Sequence, residues 1–222
     1  RDLHSFPTRR SSDLTNAEST QPAAPTPNRR NSPVRDAVTI GIFIALYIVL
    51  FFICGMTMGA IPLIMVLLLV IFGIFGGLIF MVLLGKVQRT GIFLITGLII
   101  GLMMISMAPG GVMCYMTIAG GVVAEVIYRL MGHKSFASMT AAYTAFVTFF
   151  ALGEYIPFVW MKEAYLELYA NNPTLDVAKV GMDMLNPATM AMYCLLAIVA
   201  CVAGCFWGRA LTRRQFSRAG IV

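Results

Sequence analysis

The chain has 222 residues, 59% of them hydrophobic and only 12% charged, with a formal net charge of +6 and a mean hydropathy of +0.83. So apolar a composition excludes a soluble domain and places the chain in lipid. The basic excess then records orientation and contact with anionic lipid, and calls for no nucleic-acid partner. Five cysteines (Cys54, Cys114, Cys194, Cys201, Cys205) fall in apolar segments without CxxC spacing and read as small hydrophobes. No cofactor or metal site is expected.

Residues 1–14 (RDLHSFPTRRSSDL) read as the translation of a sequencing-adapter oligonucleotide and are set aside as foreign, together with His4, Arg9 and Arg10. Their removal leaves thirteen basic against eight acidic residues, a net of +5, so the basic excess survives. Residues 15–34 are rich in Pro, Thr, Asn, Ser and Ala without apolar period, the composition of a disordered cytoplasmic tail or of mis-joined sequence. No cleavable signal peptide is read.

From about residue 35 onward the sequence predicts an all-α, polytopic membrane domain, because a crossing helix needs about 20 consecutive apolar residues. Six spans are expected, at 37–57, 61–85, 91–108, 111–130, 138–159 and 187–208. Their loop charges alternate. Arg29, Arg30 and Arg35 precede the first span, Lys86 and Arg89 follow the second, Arg129 and Lys134 the fourth, and Arg209, Arg213, Arg214 and Arg218 the sixth. The intervening loops on the other side hold no Lys or Arg until the long stretch 160–186, where Lys162 and Lys179 face Glu163, Glu167, Asp176 and Asp183. The positive-inside rule therefore places both termini in the cytoplasm.

The outer stretch 160–186 contains two short amphipathic runs, Lys162 to Ala170 and Thr174 to Leu185. It reads either as a lid or as an interfacial hairpin anchored by Tyr155, Trp160, Tyr165 and Tyr169.

Two acids sit inside the expected spans, where ionisable groups are costly. Glu125 lies four residues before Arg129, the spacing of a helical ion pair. Glu154 has no basic residue three or four positions away, so it needs either a polar cavity or access to interfacial water. Glu154, with Tyr115, Trp160 and Met107, makes up the candidate solute-binding set. Met56, Met58, Met103, Met104, Met107, Met113 and Met116 gather at the same outer ends. Thioethers bind Cu(I), yet no membrane histidine or Cys–Met motif accompanies them, which leaves a pliable lining or plain packing.

On the first span Ala37, Gly41 and Ala45 recur every four residues and strip one helix face of bulk, which serves either partner docking or packing within the chain. Gly97 and Gly101 repeat the pattern on the third. The sequence has no GxxxxGK[ST], HExxH or nucleophile elbow, so it is not read as an enzyme or an ATPase.

The segments Asp36 to Phe52 (DAVTIGIFIALYIVLFF), Ile61 to Leu68 (IPLIMVLL) and Arg213 to Ile221 (RRQFSRAGI) resemble the Trep_Strep family of bacterial integral membrane proteins, which is similar to S components of energy-coupling factor (ECF) transporters. The resemblance runs from about Val34 to Val222. It implies a six-helix substrate-binding subunit in the bacterial cytoplasmic membrane, which hands a small solute to a T component and two cytoplasmic ATPases. It further implies that Ala37, Gly41 and Ala45 meet the T component, and that the loops at 55–60 and after Trp160 close over solute. The segment Ala108 to Tyr115 (APGGVMCY) is less polar than its counterpart in relatives, so no ligand contact is carried over. A membrane structural or assembly protein with no solute is the alternative.

Overall fold

Lipid offers no water to backbone polar groups, so a spanning chain must satisfy them within each segment. The computed structural model describes residues 33–58, 62–133, 135–173 and 175–218, with side chains at 33–55, 67–133, 135–173 and 175–212, and contains no strand among them. The expectations on residues 1–32, on Lys134 and on the turn at 59–61 lie outside the described residues, as do those on the side chains of Met56, Met58, Arg213, Arg214 and Arg218. The helices are α1 (Pro33–Met58), α2 (Pro62–Lys86), α3 (Ile92–Met103), α4 (Val112–Leu130), α5 (Phe136–Trp160), α6 (Lys162–Leu168), α7 (Leu175–Met184) and α8 (Pro187–Arg218).

Among the described residues, α1, α2, α4, α5 and α8 are long and apolar enough to cross a membrane, and α3 is a shorter apolar helix. The third expected span therefore does not form as one helix. Its 12 residues rise only about 18 Å. The cause is local: Ala108 precedes a proline and is extended (φ −137°, ψ 148°), since the proline ring disfavours helical geometry before it. The Met104 N–H is already shared between the Ile100 and Gly101 carbonyls, at 3.0 and 3.1 Å, as the last turn tightens. Gly110 (φ +61°) and Gly111 (φ +69°) then take left-handed geometry, which glycine adopts freely, and the chain reverses into α4 through a single 3₁₀ turn, Pro109–Gly111.

The start of α8 is set equally locally. Asn186 Oδ1 accepts from the Ala188 and Thr189 N–H groups at 3.0 and 2.9 Å, while Thr189 Oγ1 accepts from the Asn186 N–H at 2.8 Å. With Pro187 at the first helical position, this is a reciprocal N-terminal cap. Threonine hydroxyls inside the bundle turn back on their own helix, Thr96 donating to Ile92 O at 2.7 Å and Thr117 to Met113 O at 2.6 Å.

Glycines decide which helices touch. A Cβ on Gly204 would lie 2.3 Å from the Ile74 carbonyl oxygen, one on Gly77 3.1 Å from Cys205 N, and one on Gly208 3.0 Å from Leu78 Cα. These contacts run α2 and α8 side by side in parallel, Gly73 beside Cys201 and Gly85 beside Thr212. Gly97 against Gly121 (2.9 Å to its Cα) makes the antiparallel α3–α4 seam, and Gly120 against Phe149 with Gly153 against Met113 makes the α4–α5 seam. Between them lies an aromatic core in which Tyr47, Phe72, Phe80, Phe93, Phe146 and Phe150 are all buried. The Tyr47 ring sits 4.6 Å from Phe72 and edge-on to Phe80 at 5.0 Å.

Gly41 differs from these. A Cβ there meets nothing within 4 Å, and Ala37 and Ala45 are exposed beside it on the outward face of α1. The α1 strip is thus not used for packing within the described chain, whereas the Gly97–Gly101 strip is.

Substituting Gly204→Val should drive α8 from α2 and destabilise the purified protein by about 1–3 kcal/mol, the usual cost of overpacking. Gly41→Ala should leave the thermal midpoint unchanged or slightly raised, because alanine is the better helix former. Thermal unfolding of both variants in detergent checks the pair, and equal destabilisation would contradict the seam assignment.

Candidate functional site

At the end of the bundle away from Lys86, Arg89 and Arg129, α1 at Phe51, α2 at Leu68, the α3–α4 reversal and the last turns of α5 converge beneath α6. They border a partly open cavity of about 100 Å³ lined by Phe51, Leu68, Met107, Ala108, Met113, Glu154, Phe158, Tyr165 and Tyr169. Glu154 enters it from α5 where that helix is modified on both sides of the acid. Gly153 brings α5 against α4, where a Cβ would lie 3.1 Å from Met113 Cα. Pro157, one turn on, supplies no N–H for the Gly153 carbonyl.

The Glu154 Oε2 atom is buried and has no hydrogen-bond partner among the described residues. An unpaired carboxylate oxygen in such a place is costly. Glu125 also holds a buried Oε2 without a partner. Its other oxygen, however, accepts from Arg129 Nε at 3.0 Å and from the Gly91 N–H at 2.6 Å. Glu125 thus joins α4 to the first turn of α3 and lines none of the cavities described here. At the same basic end Arg89 pairs with Asp36 and ties α1 to the α2–α3 turn.

The cover is α6 and α7. Tyr165 and Tyr169 stack at 4.6 Å, and Tyr165 meets Phe158 edge-on at 4.8 Å. The Tyr169 hydroxyl donates to Met107 O at 2.9 Å, fastening the end of α6 to the α3–α4 reversal. Lys162 Nζ donates to Met182 O at 3.1 Å and ties α6 to α7. Burial pushes both phenols above the ordinary tyrosine value, most strongly Tyr165, so both remain protonated at neutral pH.

Of the four solute-binding candidates, Glu154 and Met107 line one cavity. Tyr115 is 65% exposed and lies outside that lining. Trp160 is 59% exposed and belongs to a wider recess of about 540 Å³ formed by the single segment Val159–Ala164. That recess is larger than the chamber, but one continuous strand of chain borders it and cannot enclose a solute. Phe51, Phe158, Tyr165 and Tyr169 are lining residues that the sequence did not single out for binding, whereas Met113 comes from the methionine group expected here as either a pliable lining or plain packing. The four-residue spacing of Tyr165 and Tyr169 on an amphipathic run was the available signal for two of them.

No curated protein and no solved structure matches the chain. The model of a family described as "hypothetical bacterial integral membrane protein (Trep_Strep)" matches residues 34–218, nearly all of the helical bundle. The chain therefore belongs to the Trep_Strep family of bacterial integral membrane proteins.

Proposed function

We propose that this chain is the substrate-binding (S) subunit of an ECF-type, ATP-driven importer of the bacterial plasma membrane. It captures a small solute outside and delivers it through a T component driven by two cytoplasmic ATPases. The observation that carries this reading is the chamber under α6, bridged by the Tyr169–Met107 hydrogen bond and carrying a Glu154 oxygen without a partner among the described residues. A membrane protein with a purely structural role needs neither a cavity nor an unpaired carboxylate within it.

In this reading six segments cross the bilayer, the third completed by the turn and 3₁₀ segment that follow α3. Both termini are cytoplasmic, because Arg35, Lys86, Arg89, Arg129 and Arg209 gather at one end of the bundle. Glu154, Met107 and Tyr169 contact the solute, α6 and α7 form its lid, and Tyr115 and Trp160 are given no contact with it. The outward strip Ala37, Gly41 and Ala45, left unused by internal packing, is the surface that meets the T component.

Replacing Ala37, Gly41 and Ala45 together by Leu should abolish copurification with coexpressed T component and ATPases and leave the thermal midpoint of the isolated subunit in place. Retained copurification would remove the docking assignment. Tyr169→Phe deletes one hydrogen bond of the lid, worth about 1 kcal/mol. It should speed release of the copurifying solute roughly 5-fold with little change in capture rate, as measured by stopped-flow dilution. An unchanged release rate would mean that α6 does not close the site.

A further inference from the structure

The chamber is one-sided in its chemistry. Its lining contains a single carboxylate, Glu154, and no lysine, arginine or histidine among the described residues. The one basic side chain of α6, Lys162, is not in the lining and is occupied by the Met182 carbonyl at 3.1 Å. Among the described residues nothing in the wall neutralises an anion, and nothing pairs with the buried Oε2 of Glu154.

The rest of the wall is suited to the body of a cation. Phe51, Phe158, Tyr165 and Tyr169 contribute four aromatic rings, and Met107 and Met113 two polarizable thioethers. Aromatic rings attract an ammonium through their quadrupole, and a site that pairs several rings with one carboxylate binds an organic cation without a strong need for directional donors. Size points the same way. About 100 Å³ is well below the roughly 300–1,000 Å³ of sites for drug-sized ligands, so the chamber as it stands takes a small compact group. The approach is also biased: the cover segment 160–186 carries Lys162 and Lys179 against Glu163, Glu167, Asp176 and Asp183, a negative balance that favours arrival of positive charge.

We propose that the chamber binds a small organic ammonium ion, its charged nitrogen paired with Glu154 and its apolar substituents held among the aromatic rings and methionine thioethers. The proposal rests on the reading of the chamber as the solute site and adds the chemical class of the solute. Pairing with the ammonium compensates the buried Oε2, by a hydrogen bond where the cation carries an N–H and by Coulomb attraction alone where it is quaternary, so binding and compensation of the buried carboxylate are one event. Glu154 then serves as the selectivity residue, and the rings supply most of the contact.

The test is a set of shape-matched probes titrated calorimetrically into the full-length protein in nanodiscs: choline, its uncharged carbon isostere 3,3-dimethylbutan-1-ol, and the anion 3,3-dimethylbutyrate, with n-butylammonium as a second cation. At least one cation should bind saturably at millimolar concentration or below and at least about 10-fold more tightly than the neutral isostere, with no binding of the anion. Glu154→Gln should remove the preference for cation over isostere while retaining the thermal midpoint. If that variant does not fold, Phe158→Leu, which thins the ring wall and keeps the charge, should weaken the cations several-fold. Equal or tighter binding of the alcohol or the carboxylate, or no binding of either cation, would overturn the proposal. Such a result leaves co-assembly with a T component, read by copurification, untouched. Loss of co-assembly with ammonium selectivity intact would instead remove the transporter reading and keep the site.

Discussion

Close approach of helix backbones at glycine is the constraint on which this structure depends. Lipid tails are as apolar as leucine, so helices gain little by hiding apolar surface from them and associate through packing and hydrogen bonds. Gly204 against the Ile74 carbonyl, Gly97 against Gly121 and Gly153 against Met113 are the places where that packing reaches backbone on backbone. Each seam fixes a pair: α2 with α8, α3 with α4, α4 with α5. Gly76 adds a different service, because a Cβ there would lie 2.5 Å from the Tyr143 hydroxyl and 2.7 Å from the Tyr47 ring, so its absence makes room for the aromatic core. With these seams formed, α1 is left touching the bundle along one side, and its small-residue face looks outward.

The chamber follows from the same geometry. The seams are tight through the middle of the bundle, and α3 ends early, at Met103. The reversal from Met104 to Gly111 therefore runs across the end of the bundle instead of filling it with a further helical turn, and Met107 and Ala108 become wall residues. Glu154 reaches the space so formed from α5, and α6 roofs it. Among the described residues, a carboxylate with an unpaired oxygen, a wall without a basic group and a roof joined to the wall by a tyrosine hydrogen bond together support the proposed reading of this space as a binding site.

Much of this was legible in the sequence, and the reasons are physical. Apolar runs marked the helices because crossing lipid imposes length and composition together. Glu125 could be paired with Arg129 from spacing alone, since a helix sets that distance, and Glu154 stood out because no basic residue lay within helical reach. Other features depend on chain segments remote in sequence. That Glu125 also accepts from the Gly91 N–H, 34 residues away, has no local signal. Periodicity marks the small-residue strips of α1 and α3 alike, yet only the packed structure separates the outward Gly41 from the buried Gly97. Tyr115 has the same composition cues as a lining residue, but α4 turns it outward, and Tyr165 and Tyr169 could equally have rested on headgroups until α6 folded over the cavity. Pro109 announced a break after the third apolar run; how far back the helix would end depended on the extended Ala108 and the shared Met104 N–H.

The central claim is that the chamber holds a solute. Native mass spectrometry of the full-length protein, released from detergent after gentle purification, reads this directly. The expected result is a wild-type population carrying one added small molecule, which is absent from Glu154→Ala purified in parallel with an unchanged thermal midpoint. Wild-type and variant spectra that both show only the bare polypeptide and bound lipid, from cells grown in rich medium, would contradict it.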